Sequence, residues 1–93
     1  MTFINYLKGY SLQFTASAQK ELERFDITTR KAIDKKLTSL ISGSQGLDVK
    51  KLTAYKNPTY RLRVGMYRVI YEVYETKVIV LVVGVAHRKG AYK

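Results

Sequence analysis

The stretch "YRLRVGMYRVIYEVYETKVIVLVVGVA" constrains this chain more than any other feature, because it alternates side-chain types at a period of two across two short breaks. A two-residue turn at Gly65 and Met66 sets Val64 against Tyr67, Arg63 against Arg68, Leu62 against Val69 and Arg61 against Ile70. Parity then divides the hairpin. Tyr60, Leu62, Val64, Tyr67, Val69, Tyr71 and Val73 share one side, and Arg61, Arg63, Arg68, Ile70 and Glu72 share the other. The first side reads as core.

A second tight turn at Glu75 and Thr76 extends this map to the last strand. It pairs Tyr74 with Lys77 and Arg68 with Val83, so Ile79, Leu81, Val83, Val85 and His87 continue the arginine face. The small set Val78, Val80, Val82, Gly84 and Ala86 then faces the core. An apolar stripe on the arginine face needs a cover, either the amino-terminal segment or a partner.

Upstream, "YSLQFT" alternates with Tyr10, Leu12 and Phe14 on one face, which predicts a half-buried strand. Thr15 or Ser17 then caps a helix through "AQKELERF", with Ala18, Leu22 and Phe25 on one face. A second helix is predicted from about Thr28 to Ser42, where Ile33, Leu37, Leu40 and Ile41 recur at helical spacing and Gly43 ends it. "LDVKKLTAYKNPT" reads as a basic connection broken at Asn57 and Pro58. The expected fold class is α+β in the order β-α-α-β-β-β, a mainly antiparallel sheet with both helices on one face.

At 93 residues the expectation is one domain spanning 1–93, burying roughly 60 to 65% of its unfolded surface. The formal charge is +10 and uneven: residues 1–46 carry seven Lys/Arg against four Asp/Glu, and residues 47–93 carry ten against three. Such a field favours polyanions, most often nucleic acid. Without cysteine there is no thiolate nucleophile or disulfide, and one histidine with few acids argues against a zinc site. No apolar run reaches the length of a membrane span or a signal-peptide core, so a cytoplasmic protein with no membrane partner is expected.

Arg63 opposite Arg68 is repulsive by a few tenths of a kcal/mol to about 1 kcal/mol, so an anion belongs nearby. Glu72, diagonal to Arg61, can neutralise one guanidinium but not the whole set with Lys50, Lys51, Lys56, Arg88 and Lys89. Clustered guanidiniums bind phosphate bidentately. RNA carries its own nucleophile, the 2′-hydroxyl, so its cleavage needs a base, an acid and cations on the phosphorane. Arg61, Arg68, His87, Arg88 and Tyr92 are side chains of the right kinds, and tyrosines can also stack on a splayed base.

"YSLQFTASAQKELERF", "KKL", "YRLRVGMYRVIYEV" and "IVLVVGVAHRKGAY" together resemble the RelE-type toxins of bacterial toxin-antitoxin pairs, in the RelE/ParE superfamily, over nearly the whole chain. The resemblance implies a toxin that cleaves messenger RNA in the ribosomal A site by 2′-hydroxyl attack, without metal or cofactor. It implies an antitoxin that wraps the toxin, and operator DNA as a partner only through that complex. Arg61 and Arg63 match two basic strand positions, Arg68 matches the arginine at the scissile phosphate, His87 and Arg88 match basic or histidine positions, and Tyr92 matches a stacking or proton-transferring tyrosine. Catalytic work is thus expected of Arg61, Arg68, His87, Arg88 and Tyr92, and RNA binding of Lys50, Lys51, Lys56, Arg63 and Lys89. Since arginine stays protonated, the base role moves to His87 or to a loop lysine. A ParE-like gyrase poison and a non-catalytic nucleic-acid-binding module are the alternatives.

Overall fold

The computed structural model describes residues 7–44 and 46–87. Strand β1 (Ser11–Phe14) leads into helix α1 (Ala16–Glu23) and helix α2 (Ile27–Ile41), and four strands follow: β2 (Val49–Leu52), β3 (Thr59–Val64), β4 (Tyr67–Tyr74) and β5 (Ile79–His87). The sheet runs β1-β5-β4-β3-β2. Only β1 lies parallel to its neighbour, with Leu12 beside Val80 and Phe14 beside Val82. The chain therefore leaves one half of the sheet through the helices, enters the far edge at β2, and returns as an antiparallel meander to β5 beside its starting strand.

Local chemistry explains the helix limits. Thr15 sits in an extended conformation and its hydroxyl accepts from the Ala18 N–H, satisfying one of the orphan donors of α1. Asp26 does the same for α2, accepting from the Thr29 N–H at 2.8 Å, and that bond holds its carboxyl below the usual carboxylate range. At the other end of α2, Gly43 takes φ +81° and the Ser44 N–H reaches back to the Ser39 carbonyl, a Schellman-type stop.

The helices bury Ala18, Leu22, Ile33, Leu37 and Leu40 against Leu62, Val69, Tyr71, Val80 and Val82 of the sheet. Each Val, Leu or Ile side chain among them contributes about 1.5 to 3 kcal/mol by leaving water. This is the face that parity assigned to the core, and the β3–β4 register agrees pair by pair, from Val64 with Tyr67 to Arg61 with Ile70. Gly65 at φ +58° supplies the left-handed residue that the two-residue turn requires.

Three expectations are corrected. The basic connection contains a strand, since Val49, Lys50, Lys51 and Leu52 pair with Leu62, Arg61, Tyr60 and Thr59 and form the sheet edge. The last connection is four residues, Glu75 to Val78, and pairs Tyr74 with Ile79 rather than Lys77; Val78 closes it at φ +57°. That two-residue slip keeps parity, so Ile79 and Leu81 stay on the arginine face. A β-bulge then reverses it: Tyr71 pairs with Val82 and Ile70 with Gly84, leaving Val83 as the extra residue.

Beyond the bulge the faces exchange. Gly84 and Ala86 lie on the arginine face, with Ala86 rather than Val83 opposite Arg68, while Val85 joins the core at 2% exposure. His87 pairs with Tyr67 and its ring meets the Tyr67 ring edge-on at 5.2 Å; Tyr67 in turn packs on Phe25 at 4.8 Å. His87 therefore stands on the helix side, not among the arginines.

Candidate RNA-binding cleft

The open face of the sheet carries rows of aligned side chains. Arg63 and Arg68 face each other directly, with Ala86 next in that row; Lys50, Arg61, Ile70 and Gly84 form the adjacent one. Pairing alone brings Arg61, Arg63, Arg68 and Lys50 together. Lys51, the next residue along β2, points to the opposite face, and Lys56 lies exposed in the β2–β3 connection. Arg88, Lys89 and Tyr92 lie outside the described residues.

Arg68 lines a cavity of about 320 Å³, together with Leu52, Tyr55, Ile70, Gly84, Val85, Ala86 and Glu21. Its floor is the centre of the sheet and one wall is the turn after β2. The floor is shallow because the bulge puts Gly84 and Ala86, rather than Val83 and Val85, beneath it. Side chains this small leave room for a ligand to approach the Arg68 guanidinium.

The neutralising carboxylate differs from the sequence expectation. Asp48, just before β2, holds Arg61 Nη2 at 3.0 Å and stands 3.8 Å from Arg63 Nε, while its carbonyl accepts the Arg63 N–H. Glu72 instead accepts the hydroxyl proton of Tyr74, which raises the Tyr74 phenol above its ordinary range. Asp48 precedes a strand that the sequence pattern does not reveal, so the sequence alone does not place it beside the arginines. Among the described residues, Asp48 and Glu72 against Arg61, Arg63, Arg68 and Lys50 still leave the face net cationic.

Ile79 and Leu81, with Gln13, Tyr74 and Lys77, form a second shallow depression of about 280 Å³ farther along the open face. The apolar stripe is thus shorter than expected, since Val85 is core. Among the described residues, no helix is long and apolar enough to cross a membrane.

The sequence and the overall fold are similar to those of known proteins. A family model described as the ParE toxin of the type II toxin-antitoxin system parDE matches residues 12–92. The mRNA interferase toxin RelE of Escherichia coli (strain K12) is 33% identical over 85 residues, covering 87% of this chain and 85% of that protein. Among solved structures, the RelB-RelE antitoxin-toxin complex of Methanococcus jannaschii aligns with TM-score 0.66 and 31% identity over 86% of this chain and 94% of that chain. The intact E. coli RelBE toxin-antitoxin complex aligns with TM-score 0.65 and 29% identity over 85% and 96%. The chain belongs to the RelE/ParE superfamily of type II toxin-antitoxin toxins and is of the RelE type.

Proposed function

We propose that this toxin is an endoribonuclease that cleaves messenger RNA on the ribosome, in the A site, and is neutralised by a cognate antitoxin. The observation that carries the reading is Arg68 in a small-residue cleft beside Arg61 and Arg63, on a chain one-third identical to an mRNA interferase. In this reading the message supplies the 2′-hydroxyl nucleophile. Arg68 takes the charge that develops on the phosphorane oxygens, a role in which a preorganised cation commonly contributes a hundredfold or more to rate. Arg61 and Arg63 hold the flanking backbone, and their charge replaces what a metal ion would supply elsewhere.

The proton transfers fall to other groups. Lys50, opposite Arg61 on the cleft side, and Lys56 are the described basic candidates, Tyr92 is a further proton-transfer candidate, and Arg88 adds positive charge at the phosphate. His87 faces Tyr67 in the described fold, so its place in the set requires the strand end to turn toward the substrate. Lys51 and Lys89 add long-range attraction. An antitoxin suits the same face if it brings acidic residues to the arginines and apolar ones to Ile79 and Leu81, as the E. coli and M. jannaschii toxins are each found with RelB. Operator DNA would then be met only through that complex, and the working compartment is the cytoplasm.

The test is controlled expression followed by mapping of transcript 5′ ends. In-frame cuts confined to translated messages, abolished by Arg68→Ala with the fold intact, are the expected result. The family description favours one other reading, a ParE-like poison of DNA gyrase. DNA breaks with intact messages would establish that reading and discard the nuclease.

A further inference from the structure

Tyr55 is among the few large apolar side chains that the fold leaves exposed, at 58%, and it lines the cleft that contains Arg68. It adds almost nothing to the core. Yet the turn that carries it is held at both ends. Before it, Leu52 pairs with Thr59; after it, the Asn57 amide donates to the Tyr74 hydroxyl at 3.1 Å, the Thr59 hydroxyl donates to the Asn57 carbonyl at 2.8 Å, and the Val73 N–H donates to the Pro58 carbonyl at 3.0 Å.

Ala54, directly before Tyr55, takes φ +69°. A non-glycine residue in the left-handed region is strained, and such strain persists only where the surroundings overdetermine it. Here it sets the direction in which Tyr55 leaves the turn. Lys51 and Lys56 border the same turn and attract a polyanionic chain toward it.

From this arrangement we infer that Tyr55 is a base-stacking platform, receiving an unpaired nucleobase of the RNA next to the phosphate held by Arg68. The inference rests on the nuclease reading and adds a specificity residue to it. An aromatic face accepts any base but prefers those that stack well, so Tyr55 would set both affinity and the choice of cut position.

The experiment compares the parent with Tyr55→Leu, Tyr55→Phe and Arg68→Ala on a synthetic message in a translating extract, with cut positions mapped. Tyr55→Leu is expected to lower kcat/KM by about 5- to 150-fold, the range that loss of one stacked base implies, and to broaden the choice of cut positions. Tyr55→Phe keeps the ring and should stay within about twofold of the parent by the same stacking argument. A message with an abasic nucleotide at the stacked position should slow the parent by a similar factor and Tyr55→Leu no further. Parent-like rates and cut positions for Tyr55→Leu, or equal abasic losses in both proteins, would overturn the platform while the nuclease stands. A parent that leaves messages uncut would overturn both.

Discussion

The Glu21 carboxylate of α1 accepts the backbone N–H of Val85 in β5 at 2.8 Å, joining residues 64 positions apart. The bond answers a problem set by strand lengths. β1 ends at Phe14, paired with Val82, so β5 runs past its parallel neighbour, and among the described residues no strand pairs with its remaining edge. The bulge at Val83 displaces the next donor, and Glu21 takes it while forming a wall of the cleft. Glu21→Ala should cost about 1 to 3 kcal/mol in urea unfolding, the usual loss for a part-buried bond to a charged acceptor. Glu21→Gln keeps an acceptor and should lose less than half as much. Equal losses for the two variants would show that packing, not the hydrogen bond, is what Glu21 contributes.

Legibility from sequence followed the same line. The β3–β4 hairpin could be paired residue by residue because Gly65 leaves one tight turn available and Leu62, Val64, Val69 and Tyr71 tolerate no change of face. β5 lacks that discipline, since valines fill both faces of "VIVLVVGVA" and a slipped register still buries apolar side chains. The one available signal was Gly84, an isolated glycine inside a strand pattern, which marks bulges and close approaches. Without the bulge that it marks, strand parity puts His87 on the arginine face instead of beside Tyr67. β2 escaped notice because two adjacent lysines interrupt its alternation, and an edge strand of four residues is specified by its neighbour more than by its own sequence. The arginine cluster was legible because it depends on β3 and β4 alone.

Asp48 restrains the cationic face rather than supporting the fold. Its side chain is 55% exposed, so its pairs with Arg61 and Arg63 are screened and contribute under about 1 kcal/mol. Asp48→Asn should therefore leave the urea midpoint nearly unchanged. It should tighten binding of a single-stranded RNA whose 2′-hydroxyl at the cut is removed, and steepen the dependence of log affinity on log salt by about 0.7 for each phosphate newly neutralised. Titrations across a salt series read both quantities. Unchanged affinity and slope would mean that Arg61 and Arg63 do not meet the RNA backbone.

Tyr71 is fully buried, its ring stacked on Tyr60 at 5.5 Å, and its hydroxyl has no hydrogen-bond partner among the described residues. A buried hydroxyl left unpaired costs about 1 to 3 kcal/mol, so Tyr71→Phe should raise stability at neutral pH by about 1 kcal/mol. Burial, with a smaller push from Tyr60, also raises the phenol well above its ordinary value of 10.0. Below pH 10 both folded and unfolded chains keep the proton, and the contribution of Tyr71 is constant. Above it the unfolded chain releases a proton that the folded chain retains, so stability falls by up to about 1.4 kcal/mol per pH unit from this group. Tyr71→Phe should remove that part of the alkaline decline, leaving the share from Tyr74, whose phenol is raised by its bond to Glu72. Unfolding free energies at pH 9 and pH 11 measure the difference. A parent and a variant that decline in parallel would mean that the native fold opens to admit the phenolate.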